Sequence, residues 1–210
     1  MIKVLVADDH SVVRRGLREI LAETGDILVA GEAATAPEVL RLVREQRWDL
    51  VVLDINLPGG NGIELIAEIR RERPDTRVLI LTVYSEEQYA VRSIRAGAAG
   101  FLTKESAPEK LLDAVRKIAG GGRYVSAELA ETLASVLAGE AQGQPHDRLS
   151  DRELEILRML ASGKTVSGVA QDLALSVKTV STHRTRILKK MNMKNNAELT
   201  SYAVRNGLVE

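Results

Sequence analysis

The chain has 210 residues, 45% hydrophobic and 28% charged, with a formal net charge of zero and no cysteine. Disulfides and thiolate zinc sites are therefore excluded, and the apolar runs are far shorter than the roughly 20 residues a membrane-spanning helix needs. MIKVLVADDH lacks the basic region, long apolar core and cleavage site of a signal peptide, so a cytoplasmic protein without a membrane partner is expected. The neutral total hides an asymmetry: residues 1–146 carry 18 basic and 22 acidic side chains, residues 147–210 carry 11 and 7. An acidic front and a basic back predict two modules with different partners.

In chain order, short runs rich in Val, Ile and Leu predict strands at Ile2–Ala7, Ile27–Gly31, Leu50–Leu53, Val78–Thr82 and Gly100–Leu102, each buried on both faces. Between them, Val13, Leu17, Ile20 and Leu21 follow helical spacing, as do Val39, Leu40 and Val43, and Leu111, Leu112 and Val115. Thr35-Ala-Pro-Glu38, Ser85-Glu-Glu-Gln88 and Ser106-Ala-Pro-Glu109 read as capping boxes at helix starts. Five strand–helix units imply an α/β domain over residues 1–122, a parallel sheet wrapped on both faces by helices. Residues 123–147 read as a linker holding one helix, Ala127–Leu137, with Leu129, Leu133 and Val136 on one side; Gly139 to Pro145 lacks periodicity. Residues 148–210 read as an all-α domain of four helices. Ser150-Asp-Arg-Glu153 caps the first and Gly163 stops it, a short one runs to Leu173, and Ala174-Leu-Ser176 turns into Val177–Met191. The last spans Ala197–Arg205 and closes at Gly207.

Ligands of such sheets bind beyond the carboxyl ends of the strands. There the sequence places Asp8 and Asp9, Asp54, Thr82 and, through Thr103, Lys104. Alone, each is an ordinary turn or surface residue; together they form a rim of three carboxylates, a hydroxyl and an ammonium. Unbalanced carboxylates repel one another, and oxygen-only donors favour a hard divalent cation, Mg2+. Beside it Asp54 can act as a nucleophile toward a phosphoryl group, with Lys104 supplying charge and Thr82 a donor. Gly59, Gly60 and Gly62 let the following loop turn and approach the site. His10 and His146 stand isolated in the sequence, so a histidine metal site is not expected.

These residues carry a resemblance. Asp8-Asp9, Asp54 before Pro58-Gly59, Thr82, and Gly100-Phe-Leu-Thr-Lys104 resemble the receiver domain of two-component response regulators. The resemblance implies a flavodoxin-like sheet of order 2-1-3-4-5 and Asp54 as phosphoacceptor from a sensor histidine kinase. It also implies Mg2+ held by Asp9, Asp54 and the Asn56 carbonyl, with Asp8 acting mainly through water. Thr82 would move toward the phosphoryl group while Phe101 turns inward, although Phe101 can equally be plain core. Lys104 is followed by Glu105 rather than the common Pro, and Val83 is bulkier than usual beside Thr82; Asn56 and Tyr84 flank the site.

From Ser176 to Lys194 the chain holds six basic residues and no acidic one. On a helical wheel Val180, Ile187 and Met191 form an apolar stripe. Lys178, Thr182, Thr185 and Lys189 lie opposite, with Ser181 and Arg186 beside them. Such a helix suits a major groove, with Lys178, Arg186 and Lys189 on phosphates and Ser181, Thr182 and Thr185 at base edges; Thr179 opens the same face. Leu149-Ser-Asp-Arg-Glu-Leu-Glu-Ile-Leu157, Val169-Ala170 and Ser176-Val-Lys-Thr-Val-Ser-Thr-His-Arg184 resemble the LuxR-type helix-turn-helix domain of NarL-type regulators. Val166-Ser-Gly168 departs from that pattern. The resemblance implies binding of a palindromic double-stranded operator by a homodimer that meets through Leu199, Tyr202 and Ala203, which can equally pack inward. The sum is a transcriptional response regulator. Two rival readings are a DNA-binding regulator whose receiver only dimerises, and an aspartate-based phosphatase, which would want an acid where Asn56 stands.

Overall fold

A computed structural model describes residues 1–84, 86–137 and 144–209, without the side chains of 86–88 and 136–137. The expected capping box at Ser85, most of the Gly139–Pro145 linker and the side chain of Val136 lie outside the described residues. The chain divides into two compact units, Met1–Ala138 and Gly139–Glu210.

The first unit holds five parallel strands: β1 (Ile2–Ala7), β2 (Ile27–Ala33), β3 (Leu50–Leu53), β4 (Arg77–Thr82) and β5 (Gly100–Thr103), in the order β2-β1-β3-β4-β5. All four side chains of β3 are at most 2% exposed, because β3 is central and covered on both faces. Burying such a side chain fully is worth about 1.5–3 kcal/mol. β2 departs from expectation. Its apolar run predicts burial on both faces, yet Leu28 is 47% exposed and only Ile27 and Ala33 are buried. The strand order puts β2 at an edge, where cover is partial. The other edge, β5, is closed by Tyr124, whose amide donates to the Ala99 carbonyl and whose carbonyl accepts from Phe101.

The helices are α1 (Ser11–Ala22), α2 (Ala36–Glu45), α3 (Gly62–Glu72), α4 (Glu86–Ala96), α5 (Ala107–Ala119) and α6 (Ala127–Leu137). Leu17 and Leu21 of α1 and Leu111, Ala114, Val115 and Ile118 of α5 join Val4, Val6, Leu50, Val52, Leu79 and Leu81 in one core. Thr35 caps α2 as its sequence signature predicts, accepting from the Glu38 amide, and the Glu38 carboxylate returns to the amide of Ala34. Ser106 does not cap α5. It sits in the right-handed helical region, and its hydroxyl donates to the carbonyl of Thr103, whose hydroxyl in turn accepts the Ser106 amide. The S-x-x-E pattern is present, but a local hydroxyl turn satisfies those groups first. α6, which the sequence places in a linker, belongs to the first unit and packs against α4 with Leu129 buried.

Gly62 starts α3 against the backbone that carries Asp54. A β-carbon there would lie 2.5 Å from the Ile55 α-carbon and 2.6 Å from its carbonyl oxygen. Gly62→Ala is therefore expected to destabilise the protein by about 1–3 kcal/mol through overpacking, measured as a lower urea midpoint. Gly59, at φ +83, supplies the sharp turn, whereas Gly60 approaches Ala36 of α2 rather than the site.

In the second unit, α7 (Asp151–Ala161), α8 (Val166–Asp172), α9 (Val177–Met191) and α10 (Asn196–Arg205) follow a short 3-10 helix, Pro145–Arg148. Ser150 and Glu153 form the expected capping box. Ala174 (φ 51) and Asn192 (φ 55) take left-handed conformations where the chain leaves α8 and α9. Gly163 and Gly207 close α7 and α10 at positive φ, with Lys164 and Leu208 donating back to Met159 and Ala203. Among the described residues no helix is long and apolar enough to cross a membrane.

Candidate functional site

In a parallel sheet the carboxyl ends of all strands share one rim, and β1 and β3, which diverge from each other in chain order, are neighbours there. Asp8 follows β1 and Asp54 follows β3. Their backbones are linked at that end, since the Asp54 amide donates to Ala7 and the Asp8 amide to Ala33. Both side chains are buried, Asp8 to 1% and Asp54 to 4% exposure. Lys104, carried in by the end of β5, joins them: its Nζ lies 2.5 Å from Asp8 Oδ2 and 2.6 Å from Asp54 Oδ2. Thr82 at the end of β4 is fully buried, and its hydroxyl accepts weakly from the Tyr84 amide at 3.5 Å.

The electrostatics follow from this burial. Desolvation raises the Asp54 pKa above the usual carboxylate value, and the charge of Asp8 adds to it; the hydrogen bond from Lys104 opposes both without cancelling them. Burial alone would lower the Lys104 pKa, but its hydrogen bonds to Asp54 and Asp8 prevail and raise it. The remaining Asp54 oxygen, Oδ1, accepts the Asn56 amide at 3.2 Å. Asp54 is thus a basic, oriented carboxylate beside a firm cation.

Asp9 is exposed, and its Oδ1 lies 2.7 Å from His10 Nδ1; the His10 amide donates to Asp8 Oδ1 at 2.8 Å. His10, isolated in the sequence, is therefore clustered with both carboxylates, and ligand atoms of the three lie within 4.8 Å of one another. The short Asx turn from Asp8 to His10 is the signal that could have shown it. His146 is not isolated either, since its Nδ1 is 2.8 Å from the Tyr202 hydroxyl. Asn56 projects outward and donates from Nδ2 to the Tyr84 hydroxyl at 2.8 Å. Phe101 is fully buried within β5.

In the second unit, Val180, Ile187 and Met191 of α9 are buried, as the apolar stripe requires. Lys178, Ser181, Thr182, Thr185, Arg186 and Lys189 are exposed and Thr179 is half-buried. The Thr182 and Thr185 hydroxyls donate back to the carbonyls of Lys178 and Ser181, each at 3.0 Å. Two of the six basic residues are occupied within the unit: Arg184 holds Asn196 at 2.6 Å and Lys190 holds Glu153 at 2.6 Å. Lys178, Arg186 and Lys189 have no ion pair among the described residues. Leu199, Tyr202 and Ala203, expected as dimer contacts, are buried. They form the inner face of α10, which packs on α7, and are not surface groups; Val204, 54% exposed, stands on the outer side.

The model of the response regulator receiver domain matches residues 4–116, and that of the bacterial regulatory proteins of the luxR family matches residues 147–203. The chain is a NarL/FixJ-type response regulator. It is 38% identical to the response regulator GacA of Pseudomonas aeruginosa over 100% of this chain and 99% of that one. Identity to UvrY of Escherichia coli is 37%, over 99% of this chain and 96% of the other. Among solved structures it resembles RcsB of Salmonella enterica serovar Typhimurium bound to the rprA promoter with the phosphomimetic BeF3-. That match has a TM-score of 0.68 and 25% identity, over 96% of this chain and 97% of that chain. A LuxR-family regulator from Aurantimonas sp. SI85-9A1 is 37% identical over 65% of this chain and 97% of its own, with a TM-score of 0.59. This regulator is accordingly a DNA-binding transcription regulator of two-component systems, and its relatives are not classical enzymes.

Proposed function

We propose that Asp54 of this cytoplasmic regulator accepts a phosphoryl group from a phosphohistidine of a sensor kinase, and that this modification controls binding of a palindromic operator by dimers of the chain. One observation carries the reading: Asp8 and Asp54, from separate strands, converge on the Lys104 ammonium at 2.5 and 2.6 Å. A structural ion pair would need one carboxylate; two buried ones on a single ammonium leave a negative charge for a further cation. The donor set fits Mg2+, with carboxylate oxygens from Asp8, Asp9 and Asp54, the Asn56 carbonyl and no sulfur. When bound, that ion would neutralise the phosphoryl oxygens. An Asp54 oxygen forms the new bond to phosphorus as the bond to the histidine nitrogen breaks and the imidazole departs. Lys104 stays on the oxygens that gain charge, and the Thr82 hydroxyl donates to another. Asn56 offers no acid two residues beyond Asp54, which disfavours turnover as a phosphatase.

On the DNA side, Lys178, Arg186 and Lys189 are assigned to phosphates, and Ser181, Thr182 and Thr185, opened by Thr179, to base edges. Dimerisation is assigned to the outer face of α10, where Val204 is exposed. Lys189→Ala is expected to weaken operator and non-operator DNA alike. With one phosphate fewer neutralised, the slope of log affinity against log salt should fall in magnitude by about 0.9; a titration by fluorescence anisotropy at several salt concentrations measures this. The control step is tested by comparing operator affinity of wild type treated with a small acyl-phosphate donor and Mg2+ against Asp54→Ala treated identically. Equal affinities would refute control by phosphorylation.

A further inference from the structure

We propose that Arg14 is a positioning residue for the cation-binding turn Asp8–Asp9, oriented and partly charge-balanced by Glu32 on the edge strand β2. The inference rests on the reading that this turn takes a divalent cation.

Arg14 lies in the first turn of α1 and its side chain is only 17% exposed. Its Nη1 donates to the Asp8 carbonyl oxygen at 2.7 Å, and its Nε donates to Glu32 Oε2 at 3.0 Å. Arg18 takes the other Glu32 oxygen at 2.9 Å. The Asp8 amide donates to the carbonyl of Ala33, the residue after Glu32. The end of β2 therefore holds both sides of Asp8, one through a backbone carbonyl and one through the Glu32–Arg14 relay. A peptide unit is planar, so fixing the Asp8 carbonyl also orients the nitrogen and α-carbon of Asp9. Asp9 is exposed and has no strand of its own to hold it; this relay is the support it has from the sheet.

The charges require an explanation too. An arginine beside a cation site repels the cation, and a neutral donor could have held the same carbonyl. Glu32 reduces the difficulty by pairing with the guanidinium directly, although it shares its one negative charge with Arg18. Arginine suits the task because its rigid fork presents one donor to the carbonyl and another to the carboxylate at once, which an ammonium does not. Residues that hold metal ligands in this way alter metal affinity when replaced.

The test is a calorimetric Mg2+ titration of the full chain without phosphodonor, with the Mg2+ midpoint and plateau of labelling by an acyl-phosphate donor read in parallel. Arg14→Gln is expected to weaken Mg2+ binding about tenfold, moving the labelling midpoint while the plateau recovers at high Mg2+. Arg14→Lys should lie between. Glu32→Gln should weaken binding most at low salt, where the unbalanced guanidinium is least screened. Arg18→Gln, which touches Glu32 but not the turn and leaves Glu32 wholly to Arg14, should bind no more weakly than wild type. Wild-type affinity in Arg14→Gln with only a lower unfolding temperature would overturn the inference and leave Arg14 a structural residue. If Arg14→Gln does not fold, unchanged affinity in both Arg14→Lys and Glu32→Gln overturns it. Absence of Mg2+ binding by wild type itself overturns the cation reading beneath it, a separate result visible without any variant.

Discussion

Asp54→Asn is expected to take up no label from an acyl-phosphate donor and, without divalent cation, to be more stable than wild type. The first effect follows from loss of the nucleophilic oxygen, since the amide is not a competent acceptor. The second follows from the raised pKa of Asp54, whose first cause is burial. A carboxyl that binds its proton more readily in the folded than in the unfolded chain makes stability fall as pH rises, starting from its ordinary value of 3.8 and ending above its folded value. The cost is therefore present at pH values above the ordinary one, neutral pH included. Asparagine keeps the shape and the acceptor for the Asn56 amide, while Lys104 keeps Asp8. The gain should be about 1 kcal/mol, the size that a single stabilising substitution commonly gives. Mg2+ should then stabilise wild type by mass action and the variant much less. Urea unfolding with and without Mg2+ reads both, and an Asp54→Asn protein less stable than wild type in chelator would show that the carboxylate serves the fold rather than opposing it.

Glu153→Ala is expected to loosen the second unit by about 2 kcal/mol. The Glu153 side chain is 4% exposed and does two things at once. It accepts the Ser150 amide at the start of α7, and it accepts Lys190 from the last turn of α9. Breaking a wholly buried pair costs about 3–5 kcal/mol. The Lys190 head is 42% exposed and partly hydrated, which reduces that figure, while the lost capping arm adds to it. Amide exchange in α7 and α9 should accelerate about thirtyfold, the equivalent of that free energy, and operator binding should weaken with it. The pH dependence has the opposite sign to that of Asp54. Burial alone would raise the Glu153 pKa, but Lys190 and the Ser150 amide prevail and lower it. Its stabilisation is therefore complete above the ordinary value of 4.5 and disappears as pH falls through the lower folded value. The difference between wild type and variant should shrink over that window; a difference independent of pH would mean that the carboxylate charge is not what holds α9.

Much of this protein is local and legible as such. Strand β3 announces itself by an unbroken apolar run, and Asp54 by standing at its end before Pro and Gly. The wheel of α9 separates Val180, Ile187 and Met191 from Lys178 and Lys189 with no coordinates, because a helix has a fixed period. What the sequence leaves open depends on partners distant along the chain. Leu199, Tyr202 and Ala203 are apolar enough for an interface or a core, and only the packing of α10 on α7 assigns them to the core. Arg184 and Lys190 count among the basic residues of α9, and only the fold shows that Asn196 and Glu153 hold them.

The class of each module, the order of its elements and the candidate phosphoacceptor can be read along the chain, since periodicity, capping chemistry and strand ends are properties of neighbouring residues. Which charges are available follows from packing in space. The rim of Asp8, Asp54 and Lys104 was expected, but not the burial of both carboxylates on one ammonium, the entry of His10 and Arg14 into the surroundings, or the role of half-exposed β2 as brace of the acidic turn. Electrostatic pairing and burial act over a few ångströms of space, and chain order does not encode those distances until the sheet closes them.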